Sequence, residues 1–138
     1  MKKVLIVVGS KNDIVRLSEV ENIFCENKIQ YKIEVISVHR NVKDLVKRLD
    51  PKLLLKNKIG AVLAVAHSVS NLPAIVAGYL KSSAISVVGV GLTKTDADTL
   101  ESLLSVISIP KGVPLVNTGI NEVGLHNAAL YILKLIKL

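Results

Sequence analysis

The chain has 138 residues, enough for one domain with a substantial core and few for two. Half of them are hydrophobic, a single cysteine excludes both an intramolecular disulfide and a cysteine metal cluster, and the formal net charge is +7. The basic residues are scattered through helical segments, and three Tyr and one Phe are all that could stack on bases, so no nucleic-acid partner is expected. No apolar run reaches the length of a membrane span, so no membrane association is expected. Lone-cysteine usage points to a reducing, cytoplasmic setting. The opening MKKVLIVVGS carries the charge and apolar run of a signal peptide but no convincing cleavage site, and is better taken as a first strand.

In chain order, apolar runs alternate with helical spacing. Residues 3–9 form a continuous β-branched run, and 13–27 show helical spacing at Ile14, Leu17, Val20, Ile23 and Phe24. Residues 31–37 are the second strand. A helix follows through Val42, Leu45, Val46 and Leu49, which Pro51 kinks or ends before a short turn through Leu55. Residues 59–66 are the third strand, and 71–80 a helix with Pro73 in its first turn. The fourth strand is 84–91, a helix runs 97–107, the fifth strand is 113–118, and a closing helix covers 124–138. Nearly all-apolar strands separated by helices predict a parallel sheet covered on both faces. The expected fold is a single α/β domain over 1–138, a three-layer αβα sandwich with a five-stranded parallel sheet in flavodoxin-like order.

In such a fold ligands bind beyond the carboxyl ends of the strands. Those ends read Gly9-Ser10-Lys11-Asn12-Asp13, Ser37-Val38-His39-Arg40, Ala66-His67-Ser68-Val69-Ser70-Asn71, Gly89-Val90-Gly91 and Asn117-Thr118-Gly119. Small and polar residues concentrate there on an otherwise apolar chain, the footprint of a small-molecule site. Gly9-Ser10 has the spacing of neither a dinucleotide fingerprint nor a P-loop, yet a Gly-Ser turn entering a helix offers free N–H groups to a phosphate as well as a helix cap. Asp13 suits either the helix dipole or ribose hydroxyls. Arg40 near a helix start seeks an anion, and His39 beside it is the side chain best able to carry protons near neutrality. His67 and His126 have no partners at ligand spacing, so no metal site is expected.

Taken in order, these segments resemble the PurE family, the catalytic subunit of phosphoribosylaminoimidazole carboxylase. The family opens with G-S-x-S-D, matched by Gly9 to Asp13, and continues with S-A-H-R-T-P, matched by Ser37-Val38-His39-Arg40-Asn41-Val42. Its M-P-x-G-[IV]-P segment is similar to Ile109-Pro110-Lys111-Gly112-Val113-Pro114. Its D-S-L-x-S and G-A-x-N-A-A-L segments are similar to Glu101 to Ser105 and Gly124 to Leu130. The match runs from Val4 to the C-terminus.

The resemblance implies a flavodoxin-like homo-octamer with intersubunit sites and no metal or organic cofactor. The implied partners are CO2 and a small ribonucleotide, N5-carboxyaminoimidazole ribonucleotide, rearranged to 4-carboxy-5-aminoimidazole ribonucleotide. It implies that His39 is the general acid and base, that Ser10 and Asp13 bind the ribose phosphate portion, and that Ser37 and Arg40 help to hold the phosphate. Substrate contacts are also expected at Ala66, His67, Asn71 and Leu72. This third loop departs from the family's A-G-x-G-G-A-A-H-L-P-G: its glycines are absent, Asn71 stands at the family's histidine, and His67 is new. Three alternatives stay open: direct carboxylation of aminoimidazole ribonucleotide, carboxylation of another aromatic nucleotide, and a non-catalytic nucleotide-binding paralogue.

Overall fold

In a computed structural model, which describes residues 1–67 and 71–137, the five apolar runs become β1 (Lys3–Val8), β2 (Tyr31–Val35), β3 (Ile59–His67), β4 (Ser86–Leu92) and β5 (Val116–Ile120). They form one parallel sheet in the order β2-β1-β3-β4-β5. The helices are α1 (Ser18–Glu26), α2 (Val42–Arg48), α3 (Pro51–Lys56), α4 (Leu72–Leu80), α5 (Thr99–Ile107) and α6 (Asn121–Ile136).

Alternation along the strands sorts the side chains into two cores. Val4, Ile6, Val8, Ala61, Leu63, Val65, Val88, Val90 and Leu92 pack with Val20 and Phe24 of α1 and with Leu125, Ala129 and Ile132 of α6. The intervening residues Leu5, Val7, Val62, Ala64 and Val87 face Leu45 of α2, Leu54 of α3 and Val76 and Leu80 of α4. α5 joins this second layer, because Gly91 of β4 has no side chain in the way. A β-carbon there would lie 2.5 Å from Ser102 Oγ and 2.7 Å from the Ser102 carbonyl oxygen. Ser102, itself buried, donates its hydroxyl to the Leu92 carbonyl at 3.0 Å. The flavodoxin-like αβα sandwich with a five-stranded parallel sheet is the architecture the sequence predicts.

Several limits differ from that prediction for physical reasons. Residues Lys11–Leu17 wind as 3-10 turns before α1 begins, which buries Asp13 and Leu17. Of the two outcomes expected of Pro51, it is the ending of the helix that occurs, and the short turn beyond it is a helix of its own: Asp50 caps α3 by accepting from the Lys52 N–H at 3.3 Å. β5 begins at Val116 rather than 113, since Pro114 has no N–H for the ladder and residues 110–113 close a turn in which the Val113 N–H donates to the Pro110 carbonyl at 3.2 Å. The closing helix starts at Asn121, three residues earlier than expected, and its expected last residue, Leu138, lies outside the described residues.

At the far end of β2, the Tyr31 ring packs tilted by 50° against that of Phe24, centroids 5.7 Å apart, and donates its hydroxyl to Glu21 Oε1 at 2.9 Å. Burial, reinforced by the hydrogen bond and charge of Glu21, holds the phenol well above its ordinary range.

Candidate functional site

The order of strands reverses between β1 and β3, so the connections leaving these two strands flank the switch point. The Gly9 N–H donates to the Val65 carbonyl at 3.2 Å, extending the β1–β3 pairing one residue past β1. Ser10 then leaves the sheet with extended backbone and caps the 3-10 turns, its Oγ accepting from the Asn12 N–H at 3.2 Å. The capping role expected of Ser10 is thus filled, while its hydroxyl hydrogen stays available.

Asp13 is the first buried polar side chain after this cap, only 3% exposed. Its Oδ1 lies 3.4 Å from Nδ1 of His67, the last residue of β3, whereas Oδ2 is buried with no hydrogen-bond partner among the described residues. The structure therefore joins two residues that the sequence nominated separately. Both come from the α1/α6 side of the sheet, because His67 continues the series Ala61, Leu63, Val65.

On the other side of β1, the Ile36 N–H donates to the Val8 carbonyl at 2.9 Å and leads the chain into a turn over residues 37–41. Ile36 and Val38 are buried anchors. The Ser37 carbonyl accepts from the N–H groups of both Arg40 and Asn41 at 3.1 and 2.9 Å, and Asn41 caps α2 by accepting from the Asp44 N–H at 2.9 Å. Held between these anchors, His39 and Arg40 are exposed, and their side chains form no hydrogen bond or ion pair among the described residues. They stand at the same end of the sheet as Asp13, one strand further out.

Three residues at and just beyond the end of β3 complete the nominated set. Ala66 and Leu72 are buried in the core shared with α4, so their side chains are engaged in packing, and Ala66 is also paired with Gly91 of β4. Asn71 begins α4 in the left-handed region at φ +58, exposed and with no capping hydrogen bond from its side chain. Ser68, Val69 and Ser70 lie outside the described residues.

A second cluster at the same end escaped sequence reasoning. Arg16, on the 3-10 segment that carries Asp13, donates from Nη1 to the Thr93 carbonyl at 3.0 Å and from Nη2 to Asn121 Oδ1 at 3.0 Å. It also meets both carboxylate oxygens of Glu122, at 3.1 and 2.7 Å. Asn121, left-handed at φ +57, accepts in addition from the Thr93 N–H at 2.7 Å. This clasp ties the Asp13 segment to the ends of β4 and β5. With those strands expected to end at 91 and 118, Thr93 and Asn121 fell into the following connections, although polar residues just past a strand end were the useful signal.

Among the described residues no group of three His, Cys, Asp or Glu side chains is placed to hold a metal ion. No described helix is long and apolar enough to cross a membrane.

A flavodoxin-like sandwich with a buried, half-satisfied carboxylate at its switch point falls in the class of α/β proteins whose ligand sites lie at the carboxyl edge of a parallel sheet. Within that class the chain belongs to the AIR carboxylase family, whose sequence model matches residues 3–138. It is 32% identical over 136 residues to the N5-carboxyaminoimidazole ribonucleotide mutase of Saccharolobus solfataricus, covering 99% of this chain and 82% of that protein. Its identity to the protein of that name from Pyrococcus abyssi is 30%, over 100% of this chain and 75% of the relative. The crystal structure of Treponema denticola PurE superposes with a TM-score of 0.82 at 20% identity, over 99% of this chain and 81% of that one, a likeness of fold.

Proposed function

We propose that this protein is a purine-biosynthesis enzyme that converts N5-carboxyaminoimidazole ribonucleotide to 4-carboxy-5-aminoimidazole ribonucleotide, with His39 as general acid and base. The observation that carries this reading is the pairing, at one sheet edge, of an exposed His39-Arg40 turn with the buried, half-satisfied carboxylate of Asp13. Membership of the AIR carboxylase family supplies the chemistry that suits it.

The steps follow from the groups present. His39 protonates the carbamate nitrogen, and the N–C bond breaks to leave the amine and CO2. The electron-rich C4 of the imidazole attacks CO2 and forms the new C–C bond. Neutral His39 then removes the C4 proton, restoring the aromatic ring and its own charge. One proton carrier closes the cycle, because the proton His39 gives to nitrogen is replaced by the one it takes from C4. CO2 is retained only while the pocket excludes water and holds the ring over it. Arg40 and Ser37 hold the phosphate, Arg40 as a planar donor with no anionic partner of its own among the described residues. Ser10 and Asp13 take the ribose, the free Asp13 oxygen accepting a hydroxyl.

The test is to incubate purified protein with N5-carboxyaminoimidazole ribonucleotide and follow 4-carboxy product by absorbance. Turnover without added bicarbonate is expected. Turnover only from aminoimidazole ribonucleotide plus bicarbonate would assign direct carboxylation instead, and no turnover from either would refute the enzyme.

We propose further that the chain works as a single-domain cytoplasmic homo-octamer. Exposed Leu100 and Ile107 on α5, with Val15 and Val123 beside the Arg16 clasp, support burial against other copies. Sedimentation velocity at micromolar protein tests this, and a monomer would overturn it.

A further inference from the structure

Most of the Asp13 side chain is inside the protein, and a buried carboxylate oxygen without a donor is costly. Among the described residues, a partner reaches one oxygen only. That partner, His67 Nδ1 at 3.4 Å, belongs to a ring with a second nitrogen, Nε2, which forms no hydrogen bond among the described residues. The His67 side chain is 27% exposed against 5% for Asp13, so the pair runs from the interior to the surface of the switch point. The backbone holds the imidazole in place: His67 is still in register with Leu92 of β4, one residue beyond the last fully apolar position of β3.

We propose that Asp13 and His67 form one two-point ligand site, in which Asp13 Oδ2 accepts a ribose hydroxyl and His67 Nε2–H donates to an anionic oxygen of the same ligand. When the imidazole is protonated it carries a hydrogen on each nitrogen. Nδ1–H then faces Asp13, and Nε2–H is left for an anion. A hydroxyl donor and an anionic acceptor on one molecule is the signature of a phosphorylated or carboxylated riboside. The inference rests on the ribonucleotide reading above and makes His67 a substrate contact that fixes which anionic group is recognised.

The test is calorimetric titration of wild type, His67→Ala and His67→Gln with three probes. These are 5-aminoimidazole ribonucleoside, its 5′-phosphate, and the 4-carboxy nucleotide, with the nucleoside measured by competition. Loss of a charge-assisted contact should weaken binding about 10- to 100-fold. A loss on both nucleotides with the nucleoside unchanged supports the proposal and assigns the phosphate. A loss on the 4-carboxy nucleotide alone supports it and assigns the carboxylate. Unchanged affinities throughout would overturn it while leaving the ribonucleotide reading intact. So would an equal loss on all three probes, because a ring that merely props Asp13 would weaken the nucleoside as well. Wild-type protein that binds neither nucleotide would remove both conclusions together.

Discussion

Gly91 and Ser102 approach so closely that a β-carbon on the glycine would sit 2.7 Å from the serine's carbonyl oxygen, a backbone atom that cannot rotate away. The Gly91→Ala variant should therefore push α5 off the sheet and lose about 1–3 kcal/mol, the usual cost of overpacking. Urea unfolding measures it. Ser102→Ala, which removes the hydroxyl but leaves room, should cost about 0.5–1.5 kcal/mol, the net value of one hydrogen bond. A Gly91→Ala protein as stable as wild type would mean that α5 slides freely.

The Arg16 clasp contains contacts of unequal worth. Its ion pair with Glu122 is solvent-exposed on the carboxylate side, so Glu122→Gln should cost less than about 1 kcal/mol. Arg16→Ala also removes the part-buried bonds to Thr93 and Asn121 and should cost more, about 1–2 kcal/mol. The ordering of the two variants in thermal unfolding is the decisive readout. Equal costs would place the clasp's strength in its surface ion pair.

For the chemistry, His39→Asn should bind nucleotide with nearly unchanged affinity and lose turnover by at least about 100-fold, the lower range of acid–base catalysis. Arg40→Ala should do the reverse, weakening nucleotide binding by about 1.5–3 kcal/mol. Binding calorimetry beside a turnover assay separates them. Normal turnover in His39→Asn would refute the proposed mechanism.

Tyr31 should titrate later than the other two tyrosines when phenolate absorbance is followed through alkaline pH. Its folded-state value is raised, so its contribution to stability is complete below the unfolded value near 10 and is lost as pH rises through the folded one. Tyr31→Phe should abolish the late step. A single sharp transition for all three tyrosines would show that Glu21 and burial have no such effect.

How far the sequence could go depended on the range of the interactions involved. Strand positions were legible because burial on both faces of a parallel sheet demands unbroken apolar runs, as at Ile59 to Ala66. The end of β5, at Ile120 rather than 118, was not, because the signal there is a side chain standing in for backbone. Asn117 donates its amide to the carbonyls of Gly89 and Gly119, at 3.0 and 2.9 Å, where the ladder is irregular. At the site, strand-end position and residue type were enough to nominate His39, Arg40, Asp13 and His67 one by one. Which of them meet was not legible. The 3-10 winding that buries Asp13 under Ser10 has no periodic pattern, and the Arg16 clasp joins residues far apart in the chain.

The register of β1 against β3 has a consequence in time as well as in space. Nothing local can bring Asp13 to His67; they meet only once two parallel strands, separated by a strand and three helices, have closed their pairing. Long-range closure of this kind is slow relative to helix formation, so ligand competence should return late in refolding, after most helical signal has recovered. A ligand bridging the two residues would then act chiefly on the escape from the native state, lengthening its lifetime while leaving the speed of folding almost untouched.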